Sequence, residues 1–229
     1  MTEQRKLKII VLGESGVGKT SLLVRYKDGT YRESYKYTNL DLLTKTIRIN
    51  NTSIHLEMWD TAGFEKCRTY VRGYFRDSHG VLLIYDVTNM TTFNTLESWL
   101  SDLRKENETA VVLIVGNKND DPDRKSVNRK VVKGYAESKD MEYMETSAKT
   151  GDNVNEVFDT LIRRILGIPL DDNTDSSNAD SGHCSDAEEA ISNNRKVYKL
   201  PPIVPLRDEG IIKLSAQTDK LRKDDDFCC

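Results

Sequence analysis

A lysine and a threonine framed by glycines carry the first chemistry in this chain: Gly13, four residues, then Gly18, Lys19 and Thr20. The spacing G-x-x-x-x-G-K-T places backbone N–H groups around phosphate oxygens, because glycine permits the turn and leaves the amides uncovered. The helix read over 21–26, directly after the loop, adds the partial positive charge of its N-terminus. Ser15, Gly16, Val17, Gly18, Lys19, Thr20 and Ser21 form the candidate cradle. The ammonium of Lys19 suits the β- and γ-phosphates, and the Thr20 hydroxyl suits Mg²⁺. Further chemistry recurs downstream in order. Trp59-Asp60-Thr61-Ala62-Gly63 closes a candidate strand, and there the Asp60 carboxylate can hold Mg²⁺ and the Gly63 amide can meet a γ-phosphate. Asn117-Lys118-Asn119-Asp120 offers a carboxylate able to accept two N–H bonds from the N1/N2 edge of guanine. Adenine shows an acceptor at that edge and leaves buried polar groups unpaired. Glu145-Thr146-Ser147-Ala148-Lys149 can present amides to the base carbonyl, and the Thr38 hydroxyl is a second candidate Mg²⁺ ligand.

These groups must be positioned by a scaffold, and the hydrophobic pattern supplies one. Apolar runs at 7–12, 54–59, 81–86 and 111–116, with a shorter one near 142–145, read as strands. Runs 81–84 and 111–115 are apolar at every position, which indicates strands covered on both faces, as in a parallel sheet. Helices are expected after Thr20, over 92–103, and at Val154, Val157, Phe158, Leu161, Ile162 and Ile165. Asn153 with Glu156 fits a capping box for the last of these. Alternating elements predict an α/β fold with a mostly parallel central sheet and helices on both faces. Its ligand then sits beyond the carboxyl ends of the strands.

Composition divides the chain. Hydrophobic residues make up 37% and charged residues 31% of 229 residues, which suits a folded domain with a long polar segment. Residues 1–168 hold 26 Lys+Arg against 24 Asp+Glu, whereas 169–229 hold 8 against 13, giving +2 and −5 and the overall −3. That balance gives no sign of a nucleic-acid partner. Stretch 169–192 has seven acidic and no basic residues and is expected to be a disordered linker. No apolar run nears the roughly 18 residues needed to span a bilayer. The N-terminus reads as no signal peptide. Four cysteines show neither metal nor disulfide spacing, consistent with a reducing compartment. Basic pairs such as Arg124-Lys125 and Arg129-Lys130 read as solvated faces, and His55, His79 and His183 have no partner pattern.

The ordered set Gly13 to Thr20, Thr38, Asp60-Thr61-Ala62-Gly63, Asn117 to Asp120 and Thr146 to Lys149 resembles the small GTPases of the Ras superfamily. Thr30-Tyr31, Glu33-Ser34-Tyr35, Arg72-Gly73-Tyr74-Phe75-Arg76, His79 to Thr88 and Cys228-Cys229 look like the Rab subfamily. The resemblance covers residues 7–168. It implies the P-loop NTPase small-GTPase fold, a GTP-binding domain at 1–168 and a hypervariable tail at 169–229. It also implies GTP and GDP binding with Mg²⁺ on Thr20, Thr38 and Asp60, and slow hydrolysis. By match of motif, Asn117 and Asp120 read the guanine, Lys118 packs along it, and Ser147, Ala148 and Lys149 complete the pocket. Implied partners are effectors, an exchange factor, a GTPase-activating protein and an escort protein or dissociation inhibitor, around a monomer. The implied setting is the cytoplasmic face of an intracellular membrane, with a cytosolic pool.

Two departures stand out. Phe64 occupies the place of the glutamine that orients attacking water, so intrinsic hydrolysis is expected to be unusually low. The alternative is a constitutively GTP-bound binding module. After Thr38 the sequence Asn39-Leu40-Asp41-Leu42-Leu43 lacks the family's glycine, reads one residue shorter, and replaces by leucine the aromatic that packs with Trp59 and Tyr74. Effector choice is expected to differ. In the tail, 193–227 is the expected docking segment for the prenylation machinery and 228–229 the anchor. Because Asp224, Asp225 and Asp226 oppose attraction to an anionic leaflet, both Cys228 and Cys229 are expected to carry lipid.

Overall fold

Every strand that leads toward the motifs runs the same way. In the computed structural model, residues 5–33, 41–49, 52–61 and 68–169 are described. Thr38, Gly63, Phe64, Cys67 and the tail with Cys228 and Cys229 lie outside them. Among the described residues the strands are β1 (Arg5–Leu12), β2 (Asp41–Ile49), β3 (Thr52–Asp60), β4 (Gly80–Asp86), β5 (Val111–Asn117) and β6 (Glu142–Glu145). The helices are α1 (Lys19–Asp28), α2 (Arg68–Phe75), α3 (Met90–Asn94), α4 (Leu96–Glu106), α5 (Arg129–Ser138) and α6 (Val154–Leu166). A 3₁₀ turn covers Pro122–Arg124. The sheet order is β2-β3-β1-β4-β5-β6. β2 pairs antiparallel with β3, and every other pairing is parallel.

β4 is buried at all its positions and β5 at all but Val111, as the unbroken apolar runs predicted. Their side chains alternate between two cores. Leu82, Ile84, Leu113 and Val115 face a cluster that α1 and α6 cover. Val81, Leu83, Tyr85, Val112 and Ile114 face one closed by Phe75 of α2, by α4 and by α5. The α6 stripe Val154, Val157, Phe158, Leu161, Ile162 and Ile165 is no more than 4% exposed at any position. Each such side chain contributes about 1.5–3 kcal/mol relative to exposure. Tyr26 of α1 stacks on Phe158 with ring centroids 3.7 Å apart, and burial pushes its hydroxyl pKa up to about 12.

Four features differ from the sequence expectation. Asn153 is not a capping box residue: it adopts a left-handed conformation (φ 53°), makes no side-chain cap bond, and donates its amide to the Glu145 carbonyl at 3.0 Å. The stripe from Thr92 to Leu103 is two helices that divide at Thr95, whose hydroxyl takes the Thr92 carbonyl at 3.0 Å. β2 escapes an apolar-alternation reading because Lys45 occupies an inward position among Leu43, Ile47 and Ile49. Its ammonium donates to the Tyr26 carbonyl at 2.5 Å and lies 3.9 Å from that ring's centroid, so a cation fills an apolar slot. The register then makes Leu42, 46% exposed, the leucine opposite Trp59, while Leu43 pairs with Met58 and packs against the core. Trp59 and Tyr74 remain neighbours at 5.4 Å.

Candidate functional site

Those predicted groups that are among the described residues converge at the carboxyl ends of β1, β3, β5 and β6. After β1 the chain turns through Gly13 (φ 142°), where a Cβ would lie 2.1 Å from the Ile84 carbonyl oxygen of β4. No other residue fits against that neighbouring strand. The turn delivers Lys19, 3% exposed, whose ammonium donates to the carbonyls of Gly13 (2.9 Å) and Glu14 (2.8 Å). Trp99 of α4 donates its indole N–H to Glu14 Oε1 at 3.1 Å and so fastens the loop from outside. Ser15 and Gly16 are exposed, Val17 is buried, and Ser21 lies partly exposed in the first turn of α1. Together they leave one rim of the loop open to a ligand.

The Thr20 hydroxyl donates to Asp60 Oδ2 at 2.6 Å. Thr61 Oγ1 donates to the Val11 carbonyl at 2.6 Å, pinning this end of β3 to β1. A hydroxyl and a carboxylate in contact are hard oxygen donors and fit Mg²⁺. Among the described residues no group of three or more His, Cys, Asp or Glu gathers anywhere. A divalent ion held here therefore takes its remaining ligands from water, a bound phosphate or undescribed residues such as Thr38.

At the other end, Asn117 is 1% exposed and acts as a strut. Its Nδ2 donates to the Val17 carbonyl (2.8 Å) and its Oδ1 accepts from the Ala148 amide (3.1 Å). A Cβ on Gly18 (φ 97°) would stand 2.3 Å from Asn117 Nδ2, so the phosphate-type loop needs glycine partly to admit this strut. Asp120 Oδ1 accepts from the Ser147 hydroxyl at 2.7 Å, and Lys149 Nζ lies 3.8 Å from Oδ2. The Ser147 hydroxyl also accepts from the Thr150 amide at 3.2 Å, which aims it at Asp120. Asp120 keeps acceptor capacity for two adjacent N–H donors, the demand of a guanine edge. Lys118 takes a left-handed backbone (φ 69°) and pairs with Asp86 Oδ2 at 2.7 Å. Burial raises the Asp86 pKa, but the Lys118 ammonium and the Thr88 hydroxyl and amide outweigh it and hold the carboxyl below its ordinary value.

Sequence reasoning passed over several residues here. Asp86 carried a signal, a carboxylate ending an apolar strand. Lys125 carried none, and its reading as part of a solvated face is corrected: its side chain is 25% exposed and bonds Glu145 Oε2 (2.6 Å) and Asn119 Oδ1 (3.1 Å). Arg25 of α1 reaches more than 120 residues along the chain to the carbonyls of Ala148 (2.8 Å) and Lys149. His79, read as unpartnered, accepts the Lys8 amide at Nδ1 (3.0 Å).

A phosphate-type loop, a hydroxyl–carboxylate pair and a carboxylate pocket at the carboxyl ends of such a sheet define a nucleotide-binding α/β domain. The family model of the Ras family matches residues 8–167. The chain is 45% identical over 161 residues to the Ras-related protein Rab-1 of Theileria parva, covering 69% of this chain and 73% of that one. It is 40% identical over 176 residues to the GTP-binding protein ypt1 of Schizosaccharomyces pombe, covering 76% and 87%. Against YPT1 of Saccharomyces cerevisiae it is 40% identical over 160 residues, covering 69% and 78%. The chain belongs to the Ras family, and within it to the Rab subfamily.

Proposed function

We propose that this protein binds GTP and GDP with Mg²⁺ and acts as a Rab-type switch that recruits effectors to the cytoplasmic face of an intracellular membrane. The observation that carries the reading is Asn117, which joins the Val17 carbonyl to the Ala148 amide and so builds a phosphate loop and a base pocket as one unit. Lys19, the loop amides and the N-terminus of α1 bind phosphate; Asp120 with Ser147 selects guanine, and Lys149, Ala148 and Lys118 bound the base. Thr20 and Asp60, joined by Thr38, would hold Mg²⁺, which supplies charge neutralisation on the β- and γ-phosphates.

Hydrolysis needs a water oxygen to bond to the γ-phosphorus while the bond to the β-γ bridging oxygen breaks, releasing GDP and phosphate. The Gly63 amide serves the γ-phosphate. A phenyl ring at Phe64 has no group to hold the water, so intrinsic turnover falls below that of a glutamine-bearing homologue. In single-turnover assays, Phe64→Gln is expected to raise the intrinsic rate by about tenfold or more, within the range of positioning effects. Equal rates would remove the argument. A second reading, favoured by Phe64 alone, is a binding module that stays GTP-loaded; protein isolated from cells carrying mostly GTP selects it, and mostly GDP selects the cycling switch. Attachment through geranylgeranyl groups on Cys228 and Cys229 accords with the Rab subfamily, and no helix among the described residues is long and apolar enough to cross a membrane.

A further inference from the structure

The segment that closes the base pocket, residues 145–149, is held at both ends by cations that no nucleotide motif contains. At its start, Glu145 has a side chain only 10% exposed, and Lys125 Nζ bonds its Oε2 at 2.6 Å. The same ammonium takes Asn119 Oδ1 at 3.1 Å, so one lysine ties the segment to the 117–120 loop. The backbone repeats the tie, with Asn119 N–H on the Thr146 carbonyl at 3.1 Å. At its end, Arg25 Nε donates to the Ala148 carbonyl at 2.8 Å and Nη2 to the Lys149 carbonyl. Arg25 Nη1 holds the Gly29 carbonyl at 2.7 Å, and the guanidinium lies 5.8 Å from the Tyr31 ring.

Between these anchors sits Ser147, whose hydroxyl fixes the Asp120 carboxylate. We infer that Arg25 and Lys125 are positioning residues for base recognition, setting the placement of Ser147 and through it the aim of Asp120. The inference rests on the guanine-binding reading given above. Its physics is preorganisation. A carboxylate accepting two N–H bonds discriminates only if it is already aimed, and a segment free to shift by an ångström spends binding energy on ordering itself. Arginine suits the far end because its planar fork meets two successive carbonyls at once, which a lysine cannot reproduce. Arg25 also makes α1 a two-ended element, with Lys19 and Thr20 at its N-terminus and the base segment clamped near its C-terminus.

A purely structural role for these ties predicts lower stability with unchanged base preference. The test therefore compares GDP with inosine 5′-diphosphate, which lacks the exocyclic amine that Asp120 accepts. Dissociation rates of both nucleotides are measured for the full chain and for Arg25→Ala, Arg25→Lys and Lys125→Met, with and without chelation of Mg²⁺. Expected are GDP release faster by about tenfold in Arg25→Ala and by several-fold in Lys125→Met, as for loss of charge-assisted hydrogen bonds. The GDP preference over inosine diphosphate should shrink in both, while the acceleration produced by chelation, which acts at the phosphates, stays as in the unaltered protein. Arg25→Lys keeps the charge and folds if charge alone matters to folding, yet should recover only part of the preference. Faster release with the preference intact overturns the inference, as does a preference within twofold of the unaltered protein. ADP is measured alongside: if the unaltered protein binds ADP as tightly as GDP, the functional reading itself fails; if it selects guanine and the variants select equally well, only the positioning role fails.

Discussion

The two ends of the site are built by opposite means. The phosphate end is one contiguous stretch, Gly13 to Thr20, whose shape comes from backbone and whose principal tie, Lys19 to the Gly13 and Glu14 carbonyls, spans five or six residues. The base end is assembled from α1, the end of β5, the turn before α5 and the segment after β6. It is held chiefly through side chains whose partners lie 20 to 124 residues away, the Lys125–Asn119 bond being shorter in sequence. Local chemistry can be carried by a motif; distant chemistry needs a completed fold. The two ends should therefore fail in different ways. Damage to the first lowers affinity for any nucleotide, and damage to the second blurs which base is chosen.

Asn117→Ala should break the distinction most severely, because the strut serves both ends. Leaving the buried Val17 carbonyl and Ala148 amide unpaired costs about 1–3 kcal/mol each. A loss of about 2–5 kcal/mol in urea unfolding, accompanied by both weaker binding and weaker base preference, is the expected outcome. Lys19→Ala comes next and should sharpen the comparison. Affinity for GDP drops by about a hundredfold as charge-assisted phosphate contacts vanish, yet the ratio of GDP to inosine diphosphate affinity stays within twofold. A collapse of that ratio in Lys19→Ala would show the two ends to be one energetic unit.

The smallest effect is expected far from both ends, at His79, which precedes the central strand β4 at the end of the sheet opposite the site. Burial lowers its pKa below 6.5, Lys8 lowers it further, and Asp77 and Glu57 offset this in part. The neutral ring accepts the Lys8 amide at Nδ1, and protonation removes that acceptor. With a folded pKa below the unfolded one, the stabilising contribution is complete above pH 6.5 and declines as pH falls through the folded value. His79→Gln should flatten the fall in melting temperature between pH 7 and pH 5 without altering nucleotide preference at either pH.

The same contrast explains how much the sequence disclosed. The strands at β1, β3, β4 and β5 were legible because burial on one or both faces writes apolar runs, and α6 because its stripe keeps helical spacing. β2 was not, since Lys45 takes an inward slot by leaning on the Tyr26 ring, a compensation only the packed α1 reveals. Asn153 carried the side chain of a helix cap but spends it on the Glu145 carbonyl. In the site, the spaced motifs named Asn117, which also ties two of them together, but not Arg25 or Lys125. Those two stand in no motif and hold the base segment through contacts that only the packed fold brings about. Lys125 looked like any solvated cation, for nothing in a charged pair tells that a buried carboxylate 20 residues later will meet it.

Arg25 and Asn117 also bear on how the chain acquires its function. Their contacts cross 123 and 100 residues, among the costliest loops to close, because ends that far apart meet only after the intervening strands have paired. Phosphate-loop residues can be present in an early collapsed state, but the base pocket cannot exist until β6 has added to β5. On the guanine-binding reading proposed above, base selectivity is therefore expected to be the last feature that folding completes. On that reading, selective loading marks a finished molecule, because the Arg25 contact with the Ala148 carbonyl forms only when α1 and the segment after β6 are both in place.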